Sequence, residues 1–348
     1  MQFLKSQKSF EGVRNEVRKI SLDCWDIPSI QGHSIYCSAL CSSNSDLDTC
    51  FQILSEEDGG YYAITDLALF QLCNKLGLPV KYFKRLRESD SSVLRNLAID
   101  SLNTLLAYYD KPFFFRMYQD KLRGVLSERY SNFDSPEIMD ILCETFNGTD
   151  FVIRGSEVSY EDFHLRVTTQ QPFKISNFDK DVYLGMQITS SDVGKSTLSV
   201  SVFIWKEVCT NGMCLPIFDK QMFRQKHIGI KEEIFSKGFK HSVEMLPLLQ
   251  DKVADLLFSA NSALIDKNIF NVKTPVGKAF KEYVILPDKD ISTLKELNGH
   301  YSNSVTSWSV ASAITEFVQG DKISFDRRLN LERIAGEFLS GGSKKFFA

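Results

Sequence analysis

Long apolar runs are missing from this 348-residue chain. No stretch approaches the roughly 18 apolar residues that a membrane-spanning helix needs. The first twenty residues also lack the order of charged, apolar and small residues that marks a secretory signal. We therefore expect a cytoplasmic protein without membrane contact.

An excess of charge of either sign is missing as well. The chain has 41 basic and 44 acidic residues, and its formal net charge is −3. This balance excludes a whole-chain attraction to nucleic acid or to an anionic membrane. Any basic surface must therefore be local.

Cysteine is scarce, with eight residues in the whole chain. Without an export signal, these cysteines are predicted to be reduced thiols that pack as small hydrophobic side chains. His33, Cys37, Cys41 and Cys50 have a poor spacing for zinc, because structural zinc sites usually contain tight Cys-x2-Cys pairs. We predict no metal, no cofactor and no catalytic residue.

One phosphate-loop motif lacks its first glycine. Such a loop needs Gly-x4-Gly-Lys-Ser/Thr between a strand and a helix. Here Thr189 stands at the first glycine position, ahead of Gly194 and Lys195. The residues after Ser196 alternate between apolar and polar, which is typical of a strand. We interpret the segment as a β-hairpin with its turn at residues 191–195, and Lys195 is not predicted to bind ATP.

Local signals place helices and strands in the first half of the chain. Thr65 is expected to begin a helix that ends at Gly77. A helical region over residues 80–109 follows. Its apolar face consists of Val93, Leu94, Leu97, Leu102, Leu105 and Leu106. Two strands around a turn at Asp120 and Lys121 come next, and then a helix capped by Ser135.

The order of these patterns predicts an α+β protein. Strand patterns between residues 151 and 215 follow one another without helices, which favours an antiparallel sheet. After residue 218 the periodicity is helical, with Gly238 and Pro247 as expected bends or breaks. The fold class is thus an antiparallel β-sheet core with flanking helices and a helical C-terminal region. We divide the chain into an N-terminal extension over 1–60, an α+β core over 61–218, a helical region over 219–340 and a frayed tail over 341–348.

Basic and aromatic residues alternate in several short segments between residues 81 and 130. The segments are Lys81 to Arg87, Arg116-Met117-Tyr118, Lys121-Leu122-Arg123 and Arg129-Tyr130. A groove that binds single-stranded nucleic acid needs cations along the backbone and flat rings for the bases. The predicted phosphate-binding residues are Arg116, Lys121, Arg123, Arg129 and Lys195, and the predicted base-stacking residues are Tyr118 and Tyr130. The alternative is a solvated face with core aromatic residues behind it.

Four motifs in sequence order resemble the phage- and plasmid-associated proteins of the domain of unknown function 932. They are TDLALFQLCNKLGLPVKYFKRL, then RGVLSERY with its following Ser-Pro-Glu-Ile, then ITSSDVGKSTLSVSVFIWKEVCTNGM, and finally WSVASAIT. The resemblance covers roughly residues 60 to 320. That family usually has Asn-Ser-Asp/Glu-x-Gly in the hairpin, where this chain has Thr189 to Gly194. The segment Cys209-Thr210-Asn211-Gly212 matches without change.

The resemblance implies a mobile-element protein encoded among genes for replication, recombination or host takeover, and it assigns no catalytic residue. We expect a non-enzymatic nucleic-acid-binding protein of phage DNA metabolism in the host cytoplasm, similar to single-strand annealing proteins. Its expected partners are single-stranded nucleic acid and phage or host replication and recombination proteins, and homo-oligomers are left open. One alternative is a metal-dependent nuclease that uses Glu161, Asp162 and Asp181. Another is an interaction protein, such as an inhibitor of host defence, that acts through surface complementarity alone.

Overall fold

Two β-sheets and eleven helices make up the part of the chain that the computed structural model describes. The described residues are 8–40, 48–53, 61–131, 133–173, 181–206, 209–214, 222–229, 231–318, 323–341 and 346. The predicted α+β class, with a sheet core and a helical C-terminal region, is confirmed. No helix in these ranges is long and apolar enough to cross a membrane.

The first sheet is built from strands on both sides of residue 60. Its strands are β1 (Cys24–Ile30), β2 (Ile35–Leu40), β3 (Asp48–Ile53), β4 (Tyr61–Ile64), β5 (Phe113–Tyr118) and β6 (Lys121–Leu126), in the spatial order β1-β5-β6-β4-β3-β2. All neighbours are antiparallel except β4 and β6, which are parallel. The predicted boundary at residue 60 therefore cuts through a sheet. The strands β1, β2 and β3 belong to this sheet and do not form a separate extension.

Helices cover one face of this sheet. They are α2 (Asp66–Lys75), α3 (Val80–Arg87) and α4 (Ser92–Tyr108). As predicted, Thr65 caps α2, because its side chain accepts a hydrogen bond from Ala68 N, and Gly77 ends it with a φ of 71°. The predicted apolar face of α4 is partly wrong. Leu102 and Leu106 are buried, whereas Val93, Leu94 and Leu97 are exposed.

The second sheet is an antiparallel meander, as the sequence predicts. It contains β7 (Phe151–Val158), β8 (Asp162–Thr169), β9 (Val182–Ser191), β10 (Leu198–Lys206) and β11 (Cys209–Cys214), and β12 (Phe223–Gln225) pairs with β10. The sequence did not predict β12. Asn211 and Gly212, which resemble a tight turn, lie within β11, where Gly212 is opposite Trp205.

The remaining helices form the large core with one face of the second sheet. They are α1 (Phe10–Ser21), α5 (Ser135–Phe146), α6 (Glu232–Met245), α7 (Gln250–Ser262), α8 (Pro275–Val284), α9 (Asp288–Tyr301), α10 (Ser307–Phe317) and α11 (Phe325–Leu339). The sequence missed α8 and α11. Gly238 does not end α6, which continues through it, whereas Pro247 separates α6 from α7 as expected. The N-cap of α5 is Asp134 and not Ser135, since Asp134 N donates to the side chain of Glu137 at 3.1 Å.

The predicted frayed tail is only partly within the described residues. Phe346 is buried and lies against the rings of Phe280 and Phe338. At this residue the prediction is wrong, because the side chain belongs to the hydrophobic core. Residues 342–345, 347 and 348 lie outside the described part of the chain.

The turn between β9 and β10 joins the two sheets. The hairpin prediction is confirmed, and the turn carries Gly194 at a φ of 72°. Val193 is fully buried against Gly124 of β6, and its carbonyl accepts a hydrogen bond from Gln71 Nε2 at 2.7 Å. Because Gly124 has no side chain, the turn can approach the first sheet closely. The segment that resembles a phosphate loop is therefore a packing contact between the two sheets.

Candidate functional site

Arg116 lies at the centre of a buried charged cluster between the two sheets. Its Nε donates to Asp26 Oδ1 at 3.1 Å, and its Nη1 donates to Asp134 Oδ1 at 2.6 Å. The same Nη1 donates to the Asp192 carbonyl at 2.6 Å. The side chain is 3% exposed. The expectation that Arg116 presents its guanidinium at a nucleic-acid surface is therefore wrong in this structure.

Arg123 is buried for a different local reason, a β-bulge. The pairing of β5 with β6 shifts between Arg116 and Met117, so that Met117 faces Leu122 and Arg116 faces Gly124. The additional residue is Arg123, and a bulge of this kind re-aims a side chain. Its Nη1 donates to the Tyr160 carbonyl in the β7–β8 turn, and the residue is 1% exposed. Alternation along β6 predicts that Arg123 and Val125 share a face, but Arg123 contacts the second sheet whereas Val125 packs in the core with the helices of the first sheet.

Asp192 completes the cluster from the β9–β10 turn. Its Oδ1 accepts from Ser135 N at 3.0 Å and from Ser135 Oγ at 2.7 Å at the start of α5. Burial raises the pKa of Asp192 to about 7, and the nearby charge of Asp134 adds to this rise, while Arg123, Ser135 and Arg116 oppose it. We define the sheet junction as Asp26, Arg116, Arg123, Asp134 and Asp192.

Arg116 stays charged within the sheet junction. Burial would lower its pKa, but the hydrogen bonds and charges of Asp134 and Asp26 raise it. A buried pair of this kind is strongly coupled, since removing one partner leaves an uncompensated charge. The junction thus ties β1, β5, the start of α5 and the β9–β10 turn together.

The two predicted stacking tyrosines already stack on protein rings. Tyr118 lies parallel to Tyr160 at a centroid distance of 4.5 Å. Tyr130 lies parallel to His227 at 5.3 Å, and its hydroxyl donates to the Ser191 carbonyl at 2.9 Å. Burial raises the pKa of Tyr130 and lowers that of His227. Both tyrosines therefore serve the contact between the two sheets in this structure.

The other predicted cations do not form one surface. Lys121 and Arg129 are exposed, at the two ends of β6. Lys195 Nζ lies 2.8 Å from Asp162 Oδ2 in an ion pair. The seven predicted residues thus divide into a buried group and separate surface positions.

The basic segment on α3 is arranged differently. Phe83 and Leu86 are buried, which places Lys81, Lys84 and Arg85 on the outward side of the helix at 3.6 residues per turn. Tyr82 lies at the flank and is 50% exposed. Arg87 lies on the other flank, 3.8 Å from Asp66. We define the α3 surface as Lys81, Tyr82, Lys84 and Arg85.

The carboxylates of the nuclease alternative do not converge. Asp162 pairs with Lys195, and Asp181 is an exposed residue before β9. Nδ1 of the neighbouring His164 lies 3.2 Å from Thr189 Oγ1. Burial lowers the pKa of His164 to about 3, with a further effect of Arg166. Among the described residues, no group of three His, Cys, Asp or Glu could hold a metal ion.

The cysteine predictions are tested only in part. Cys24, Cys73 and Cys143 are thiols outside any disulfide, and Cys37 is buried. Burial raises the pKa of each of the three thiols, as expected for packed rather than reactive cysteines. The side chains of Cys41, Cys50, Cys209 and Cys214 lie outside the described residues, so two of the four residues of the His33 to Cys50 zinc candidate do too.

Comparison with known proteins gives no match to a family model, to a curated protein or to a solved structure.

Proposed function

We propose that the protein binds single-stranded nucleic acid through the α3 surface. The observation that carries the proposal is that this helix, VKYFKRLR, has four cations and no acidic residue, with three of the cations on its outward side. Phosphates are attracted by such a local group of cations even when the whole chain is slightly acidic. The net charge of −3 makes this surface unlike the chain as a whole.

The exposed ring of Tyr82 favours single-stranded over double-stranded nucleic acid as the ligand. Its ring is half exposed beside Lys81 and Arg85, and a base that is not paired can stack on such a ring. Duplex DNA keeps its bases inside the helix and would use the cations alone. The proposal thus assigns phosphate contacts to Lys81, Lys84 and Arg85 and base stacking to Tyr82.

The resemblance to phage- and plasmid-associated proteins supports a role in mobile-element DNA metabolism in the host cytoplasm. The motifs that carry it fall on α2 with α3, on β6 with the start of α5, on the β9–β10 hairpin and on α10. The proposed α3 surface lies inside the first of these motifs. Replication or recombination proteins remain the proposed protein partners.

A titration of labelled single-stranded DNA at several salt concentrations tests the proposal. The variant is Lys81→Gln, Lys84→Gln and Arg85→Gln combined, and Lys237→Gln, Lys240→Gln and Lys252→Gln on α6 and α7 form a control with the same change in charge. Each lost phosphate contact on single strands removes about 0.7 from the salt slope, so the α3 variant should flatten it by roughly 2. The control should keep the slope of the wild type.

Tyr82→Leu separates stacking from charge. We expect it to weaken binding to single strands by about 1–3 kcal/mol while the salt slope stays unchanged. Wild-type protein that binds no single strands at low salt, or an α3 variant with unchanged affinity and slope, would disprove the proposal.

A second candidate, an interaction protein, is favoured by the first turns of α4. Val93, Leu94 and Leu97 are 73%, 38% and 44% exposed. Apolar side chains that are exposed together are typical of contact surfaces. If the protein binds no nucleic acid, this side of α4 is the next place to mutate.

A further inference from the structure

Asp192 connects three parts of the fold through one short turn. Its carboxyl oxygen accepts two hydrogen bonds from Ser135 at the start of α5. Its carbonyl accepts a hydrogen bond from Arg116 of β5. Its backbone N–H donates to the Glu161 carbonyl in the β7–β8 turn at 3.0 Å. A change at this residue therefore acts on both sheets at once.

The sheet junction has one more acidic group than it has cations. Asp26 and Asp134 share Arg116, and Arg123 is the second cation. A third carboxylate charge on Asp192 would be buried next to Asp134, which disfavours it. The titratable and charged groups that face Asp192 from the surrounding elements are Cys24, Arg116, Arg123, Tyr130 and Asp134, with Asp26 and His227 at the edge of the same cluster.

We propose that the carboxyl group of Asp192 is a proton-controlled latch between the two sheets, which is closed when Asp192 carries a proton and loosens when it ionises. The contacts that depend on the latch are those of the turn beside it. Val193 packs on Gly124, and the Val193 carbonyl is bound by Gln71. When the latch loosens, these contacts should open before the strands themselves do.

The latch would work near neutral pH. Burial and the charge of Asp134 raise the pKa of Asp192 to about 7, well above the ordinary value of an aspartate. An opened turn exposes Asp192 to water and returns its pKa toward the ordinary value. The opening constant should therefore rise about tenfold per pH unit between pH 5 and 7 and level off above pH 7.

Hydrogen exchange of the intact protein, read by mass spectrometry on peptides that cover residues 189–197, measures this constant. After correction for the intrinsic exchange rate, the opening constant of the wild type should rise between pH 5 and 7 and level off above pH 7. Asp192→Asn keeps an oxygen that accepts from Ser135 but cannot ionise, so its opening constant should not change with pH. Asp120→Asn, an exposed residue in the β5–β6 turn, is the matched control and should behave as the wild type does.

Ser135→Ala provides a second variant with a different expected result. The hydroxyl of Ser135 favours the charged carboxylate, so its removal should move the plateau to higher pH. A wild-type opening constant that does not change with pH overturns the latch, and so does a rise that persists in Asp192→Asn. If Asp192→Asn does not fold, Ser135→Ala decides, and a plateau that stays near pH 7 overturns the proposal.

Discussion

Arg116 and Arg123 belong to the same β-hairpin, and the sequence around them does not predict their burial. Arg116 follows an aromatic residue and Arg123 lies in the next basic segment, a pattern expected of cations in a nucleic-acid groove, yet both are buried. Strand alternation predicts that Arg116 and Tyr118 share a face, and in the structure both contact turns of the second sheet, Arg116 at Asp192 and Tyr118 at Tyr160. Alternation cannot predict that another sheet covers that face, because the covering turn is 76 residues further along the chain. The partners Asp26, Asp134 and Asp192 have no sequence signal that joins them.

Arg116→Met should destabilise the protein strongly. The substitution keeps an apolar chain of similar length but leaves Asp26 and Asp134 without their shared cation in a buried site. Breaking a buried pair from one side costs about 3–5 kcal/mol. Urea unfolding at pH 7 measures the change.

Arg85→Met is the control for this experiment, because Arg85 is exposed on α3. Its free energy of unfolding should stay within about 0.5 kcal/mol of the wild type. Equal effects of the two substitutions would show that the sheet junction contributes no more than an ordinary surface charge.

Among the helices and strands, the sequence predicts those whose start, end or alternation is marked by nearby residues. Thr65 with Gly77 bounded α2, and the alternation around Gly194 identified the β9–β10 hairpin. Of the elements that it does not predict, α8 does have local signals, with Thr274 as N-cap and Pro275 at the first position, whereas β12 depends on a distant partner. Phe223 of β12, for example, pairs with Val200 of β10. Helical periodicity predicts burial for Val93, Leu94 and Leu97, but it does not show which turns of α4 have a neighbouring element to pack on, and these side chains are exposed.

Two glycines allow a test of how closely the neighbouring backbone packs at their positions. Gly185 of β9 lies so close to the Val167 carbonyl of β8 that an added Cβ would overlap with backbone atoms, whereas Gly299 of α9 has open space. Gly185→Ala should destabilise by about 1–3 kcal/mol, because the neighbouring strand must move. Gly299→Ala should stabilise by about 0.5–1 kcal/mol, because alanine is the better helix former. Thermal unfolding of the two variants measures both, and the same sign for both would contradict the packing of β8 on β9.

For the whole molecule, burial of titratable groups sets the dependence of stability on pH. Between about pH 4 and 7, folded Asp192 holds a proton that the unfolded chain has lost, so its contribution to stability falls as pH rises. His164 acts in the opposite direction. Its pKa in the folded protein, about 3, lies below the ordinary histidine value of 6.5, so its contribution to stability is lost as pH falls from 6.5. The two effects offset each other in the wild type.

In Asp192→Asn, the effect of His164 on the pH dependence of stability should no longer be offset. Without the proton bound by Asp192, the free energy of unfolding should fall on acidification more steeply than in the wild type, by about 1.4 kcal/mol per pH unit. Urea unfolding at pH 4.5, 5.5 and 6.5 measures the slope. An unchanged slope would mean that Asp192 is ionised in the folded protein across this range.

The docking of the β9–β10 turn has a consequence during synthesis. The Asp192 carbonyl that binds Arg116 is made 76 residues later, and the Val193 carbonyl that binds Gln71 is made 122 residues later. At about 5–20 residues per second, a ribosome needs on the order of 4–15 s to cover the first of these intervals. Throughout that interval the nascent first sheet presents Phe114, Arg116 and Gly124 without their cover. During this interval, a chaperone or a second nascent copy can contact a face of the first sheet that is buried in the folded protein.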